Sequence, residues 1–220
     1  MKTFIAISYK ELSVLKGRIR AFLFSTISFF ILLMCAVYFF TKNNSILNIE
    51  ILGNYIQFYM GVVGFLYSMR FWEEKICGTM ELYLFEGFSY KSFVIYKSLF
   101  YLLIGIIVSL SSRLIISLIY LEINFKLIIL VSFVYSIIII PYGIINGIAM
   151  TSLKKEIATI FQYISIIIIF SSIGLIKILS NNWVSYVLFG LLLLSCLMWL
   201  TAITMLLRSN SEKAIITEFE

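Results

Sequence analysis

Any chemistry in this chain must be done with glutamate, lysine, arginine, amides, hydroxyls and three thiols, because its 220 residues contain neither histidine nor aspartate. That composition removes His-carboxylate metal sites, Ser-His-Asp triads and paired aspartates at a stroke. Cys35, Cys77 and Cys196 are far apart and form no CxxC, so they read as reduced packing residues. No nucleophile stands beside a base at helical spacing, which makes an intramembrane enzyme a weak reading. No GxxxxGK[ST] phosphate-binding loop occurs either, so the polypeptide is expected not to hydrolyse ATP itself. A catalytic residue, a metal and a cofactor of its own are therefore not expected.

Two groups of polar residues remain. The first is the run Phe71-Trp72-Glu73-Glu74-Lys75-Ile76-Cys77-Gly78-Thr79-Met80-Glu81-Leu82-Tyr83-Leu84-Phe85-Glu86-Gly87. Charged and apolar residues alternate at helical spacing across Met80–Phe85, and Gly78-Thr79 supplies a turn with a helix cap ahead of Glu81. A short helix is expected, with Met80 and Leu84 beside Glu81 and Glu86, the makeup of a knob that fits a partner's groove. The second group lies inside long apolar stretches: Asn54 and Gln57 with Gly61, Gly64 and Ser68 on one helical face; Tyr101, Gly105, Ser109, Ser112 and Arg113 on another; Gln162 and Ser165 on a third. Polar side chains are costly against lipid and so turn toward protein or a water-filled path. Asn54, Gln57, Ser109, Arg113, Gln162 and Ser165 are candidates for such a path, and gluing helices together is the competing reading.

The elements that must position these residues follow from composition. Apolar residues make up 62% of the chain and charged residues 13%, the inverse of a soluble domain's balance. The expected fold is an all-α integral membrane protein with six transmembrane helices at about 21–41, 51–70, 97–120, 127–150, 157–179 and 183–207, each near the roughly 20 residues that cross the hydrocarbon. Ahead of them, residues 2–20 read as an amphipathic helix lying on the membrane surface, with Ile5, Leu12, Leu15 and Ile19 on one face and Lys16 snorkelling. Because it lacks a compact apolar stretch before a small-residue cleavage site, this segment is expected to be retained rather than removed as a signal. The organisation is thus 1–20 interfacial helix, 21–207 transmembrane domain with a cytoplasmic segment at 71–91, and 208–220 tail. Pro141, with Gly143 and Gly147 behind it, is expected to kink the fourth span.

Most of the seventeen basic residues fall before the first span, between the second and third, between the fourth and fifth, and after the sixth. The positive-inside rule then places both termini in the cytoplasm; the expected location is a bacterial cell membrane. The net charge of +6 reflects this topology, and nucleic acid is not an expected partner.

The run Glu74-Lys75-Ile76-Cys77-Gly78-Thr79-Met80-Glu81-Leu82, followed by Ser89, Lys91 and Lys97, resembles the coupling-helix signature of type-2 ABC-exporter permeases, in which an acidic-basic stretch leads to Gly-Thr-x-Glu and then to a Ser and Lys before the third span. The surface helix, six spans and cytoplasmic termini are similar to that family along the chain. Two departures are Glu86-Gly87-Phe88, where a Pro-containing turn is common, and a very brief fifth-to-sixth connection. The resemblance implies a permease in which Glu74, Gly78, Thr79, Glu81, Leu84 and Glu86 couple to a separate nucleotide-binding ATPase subunit. That subunit would carry ATP and Mg, and a second permease chain would complete the unit. The walls of the spans suit export of a hydrophobic or amphipathic cargo, a peptide or antimicrobial peptide first among them. An ion-coupled carrier or channel is the alternative, opposed by the lack of glutamate in the central parts of the spans.

Overall fold

The computed structural model describes residues 2–43, 49–68, 71, 73, 77–120, 125–152 and 184–209. Among these the regular elements are all helices: α1 Lys2–Gly17, α2 Ile19–Asn43, α3 Ile49–Ser68, α4 Thr79–Phe85, α5 Tyr90–Tyr120, α6 Phe125–Ser152 and α7 Val184–Arg208. The all-α expectation is met. The fifth expected span, 157–179, lies outside the described residues. Within α5 and α6, Tyr90–Leu118 and Ile128–Thr151 are long and apolar enough to cross a membrane.

Long β-branched runs such as Ile137-Ile138-Ile139-Ile140 would favour strands in water. Here they are helical, the one state in which a single segment can satisfy all its backbone groups without solvent. Hydroxyl and amide side chains are absorbed in the same way, by bonding back to their own helix. Ser132 donates to the Ile128 carbonyl at 2.9 Å, Ser136 to Ser132 at 2.8 Å, Asn146 to Tyr142 at 3.1 Å and Thr151 to Gly147 at 2.7 Å. Helix α6 is continuous through Pro141.

Contacts divide the chain into two units. One comprises α1–α3 with 96–139 of α5 and α6; the other comprises α4, the start of α5, α6 from 140 on, and α7. In the first, Ile56 and Met60 of α3 and Val108 and Ile116 of α5 form a buried cluster covered by Phe22, Phe29, Phe30 and Met34 of α2. Close approach of α3 to α5 depends on glycine. A Cβ on Gly64 would come within 2.9 Å of Val108 and 3.2 Å of the Gly105 Cα, and one on Gly105 would collide with the Tyr135 hydroxyl. In the second unit, Gly147 of α6 leaves room for Phe71 and Val94, and the Tyr90 hydroxyl bonds to the Thr151 hydroxyl.

Candidate functional site

The segment 71–91 contains the expected short helix, α4, and its architecture follows from two glycines. Gly78 takes φ +65° at the N-terminal end and Gly87 takes φ +83° just past the C-terminal end, a left-handed conformation that side-chain-bearing residues adopt only at a cost. The helix cap is supplied by the Gly78 backbone with no side-chain hydrogen bond. Thr79 is the first helical residue, where sequence reasoning assigned a cap to the Gly78-Thr79 pair. Glu81 stands in the first turn and its carboxylate folds back toward Gly78, with Oε2 2.9 Å from where a Cβ there would sit. A negative charge at that end complements the helix dipole.

One face of α4 is held by an aromatic stack. Tyr83 meets Phe88 edge-on at 5.7 Å and Phe93 at 5.4 Å, and Phe93 in turn meets Phe71 at 6.4 Å. Met80, on the same side, is 1% exposed. This corrects the expected knob, because Met80 is an anchor and not part of the outer surface. The outward apolar residues are Leu82 at 61% and Phe85 at 87% exposure, with Glu86 exposed beside them and Leu84 half-buried. Nothing in the sequence sets Leu82 or Phe85 apart from Met80 and Leu84 except their spacing of three, offset from the 80/83/84 stripe. Glu74 lies outside the described residues.

The second set of predicted residues divides. Gln162 and Ser165 lie outside the described residues, and Asn54 is a position in α3. Gln57, Ser109 and Arg113 are fully or almost fully buried in the first unit. The Gln57 amide nitrogen donates to the Ile128 carbonyl and to the Ser132 hydroxyl, both at 3.0 Å, tying α3 to α6. A few residues along, Tyr135 of α6 donates to the Gly61 carbonyl at 2.8 Å and its ring meets Phe58 edge-on at 5.9 Å. Arg113 packs against Gly53 so closely that a Cβ there would coincide with the guanidinium. Ser112 donates to the Ser109 carbonyl at 2.7 Å. These are helix-to-helix and intrahelical bonds, the arrangement by which polar residues join apolar helices. Gln57→Leu is accordingly expected to lower stability by about 1–2 kcal/mol through loss of the two donated bonds. Unfolding of wild type and variant in the same detergent measures this, and an unchanged transition would show that Gln57 does not hold α3 to α6.

A third polar cluster has no signature in the sequence. Lys97 Nζ lies 3.3 Å from Glu11 Oε1, with the two side chains 0% and 4% exposed, and the Tyr101 hydroxyl donates to Glu11 Oε2 at 3.5 Å. Lys97 reads from sequence as one more cytoplasmic cation; its pairing with a residue 86 positions away is invisible without the packing of α1. The thiols are single: Cys35, Cys77 and Cys196 are free and exposed. Among the described residues no group of three or more Cys or Glu side chains is placed to hold a metal.

No family model, curated protein or solved structure matches this chain.

Proposed function

We propose that this chain is the membrane-spanning permease subunit of an ATP-driven exporter of the type-2 ABC class, a multi-pass protein of a bacterial cell membrane with six spans and cytoplasmic termini. The observation that carries the reading is α4: a two-turn helix just ahead of the long apolar α5 in the chain, braced on its inner side by Met80 and Tyr83, that turns Leu82, Phe85 and Glu86 outward. A braced helix with an apolar tip and flanking carboxylates suits transmission of motion from a docked subunit. A nucleotide-binding ATPase supplies the energy that this polypeptide's sequence has no phosphate-binding loop to harvest, and its closure biases the spans between inward- and outward-open states. A second permease chain completes the unit.

Membrane insertion is supported by the outer surfaces of the helices. Leu103, Ile107, Leu114 and Leu118 on α5, Phe125, Ile129 and Phe133 on α6, and Leu23, Phe24, Ile27 and Ile31 on α2 are all exposed, large apolar side chains that acyl chains would cover. The cargo in this reading is hydrophobic or amphipathic, with an exported peptide, including an antimicrobial one, first, in keeping with the chain's apolar and aromatic composition.

The test is affinity purification from the native membrane in mild detergent, comparing wild type with Glu86→Lys and with the double change Glu81→Lys and Glu86→Lys. Wild type is expected to retain a nucleotide-binding subunit with ATPase activity, and the variants to lose it. Glu86→Lys is the cleaner of the two, because Glu81 also stabilises the start of α4. Absence of any ATPase from the wild-type preparation would transfer the reading to an ion-coupled carrier or channel.

A further inference from the structure

Helix α1 carries two stripes. Phe4, Ile7 and Glu11, at i, i+3 and i+7, pack inward: Ile7 is fully buried and the Phe4 ring meets Tyr96 edge-on at 5.8 Å. Ile5, Tyr9 and Leu12, continued by Ile19 at the start of α2, face outward, Tyr9 at 78% exposure. Both stripes are apolar enough to pack against protein, so hydrophobic burial alone does not choose between them. Glu11 does. Its carboxylate meets the Lys97 ammonium at 3.3 Å and accepts from the Tyr101 hydroxyl at 3.5 Å, while Lys97 Nζ lies 5.6 Å from the centre of the Tyr101 ring. Rotating α1 to dock its other stripe would take this carboxylate away from a fully buried ammonium, and separating a buried ion pair is strongly unfavourable.

We infer that Glu11, Lys97 and Tyr101 determine which face of α1 docks, and thereby commit the Ile5, Tyr9, Leu12 and Ile19 stripe to the surface of an anionic lipid bilayer. The inference rests on the membrane reading above. Charge selects the occupant: Glu11 is the one acidic residue in 1–20 and is turned inward, whereas Lys16, Arg18 and Arg20 are exposed. The outward side is therefore apolar with Lys16 set within it and Arg18 and Arg20 close by in the chain, a composition that anionic headgroups over acyl chains bind.

The test uses the full chain with Cys35, Cys77 and Cys196 changed to Ser and one fluorophore-labelled cysteine, at Leu12→Cys or, as a control on an outward face of α5, at Leu118→Cys. The protein is reconstituted in phosphatidylcholine vesicles containing phosphatidylglycerol and nitroxide-labelled lipid, which quenches fluorophores in contact with the bilayer. Both labels are expected to be quenched. Glu11→Gln is expected to reduce quenching at position 12 by about twofold, as two docking orientations become comparably populated, with no change at 118. The swap of Glu11→Lys with Lys97→Glu is expected to restore it. Quenching at 12 that is unaffected by Glu11→Gln, or that the swap leaves at the Glu11→Gln level, overturns the assignment to this cluster. Quenching at 118 but not at 12 in the otherwise unaltered chain overturns the lipid commitment of α1, and quenching at neither position overturns the membrane reading beneath it.

Discussion

Gly105→Ala is expected to destabilise the folded chain by about 3 kcal/mol, the upper part of the range for overpacking, because two neighbours occupy the space a methyl would need and one of them is backbone. One is the Tyr135 hydroxyl, held by its bond to the Gly61 carbonyl at 2.8 Å; the other is the Gly61 carbonyl itself, 2.8 Å from the new Cβ. A ring at the end of a side chain can swing aside, but a carbonyl in the backbone of α3 cannot. Helices α3 and α5 must therefore separate, opening the cluster of Ile56, Met60, Val108 and Ile116. Equilibrium unfolding in mixed micelles measures the loss. Tyr135→Phe alone should cost about 1 kcal/mol, the net worth of one hydrogen bond. Combined with Gly105→Ala it should cost less than the sum of the two, since the offending oxygen is gone. A Gly105→Ala protein as stable as wild type would show that α3 and α5 do not meet at this point.

Phe85→Glu is expected to leave the fold unchanged and to reduce recovery of the proposed ATPase subunit by at least about tenfold, equivalent to about 1.4 kcal/mol of binding free energy. The side chain is 87% exposed, so its replacement removes almost no internal contact, and surface changes of this kind usually move stability by less than about 0.5 kcal/mol. In the docked state the same ring would enter a groove on the partner, where a carboxylate would be desolvated. Met80→Ala is the informative contrast. Met80 anchors α4 from inside, and its truncation should cost about 2–4 kcal/mol in folding and weaken docking only as a consequence. Titrating purified ATPase subunit onto reconstituted Phe85→Glu and Met80→Ala, alongside their melting curves, separates the two effects. Wild-type affinity in Phe85→Glu would remove Phe85 from the docking surface.

How much was legible before any fold is clearest residue by residue. The short helix at 79–85 could be read because Gly78 and Gly87 bracket an alternating run of charged and apolar residues, and positive-φ glycines punctuate a chain wherever they occur. Which of its apolar residues point outward could not, since Met80, Leu82, Leu84 and Phe85 are chemically alike and only the neighbouring Phe71, Phe88 and Phe93 decide the helix's rotation. Gln57, Gly61 and Gly105 were legible as polar or small residues on helix faces. That the Gln57 amide reaches Ile128 and Ser132 of α6, and that Gly61 and Gly105 face each other across Tyr135, required the relative placement of three helices.

The sequence by itself determined the helical state and the apolar character of this protein. Both are set by local quantities: the length of each apolar run, the scarcity of charge, and the need of a backbone without water to bond within its own segment. Only the tertiary structure decided which polar residues meet. Glu11 and Lys97 stand far apart in the chain and carry no pattern that pairs them; their attraction becomes strong only after burial lowers the local dielectric, and burial is a property of packed helices rather than of either residue.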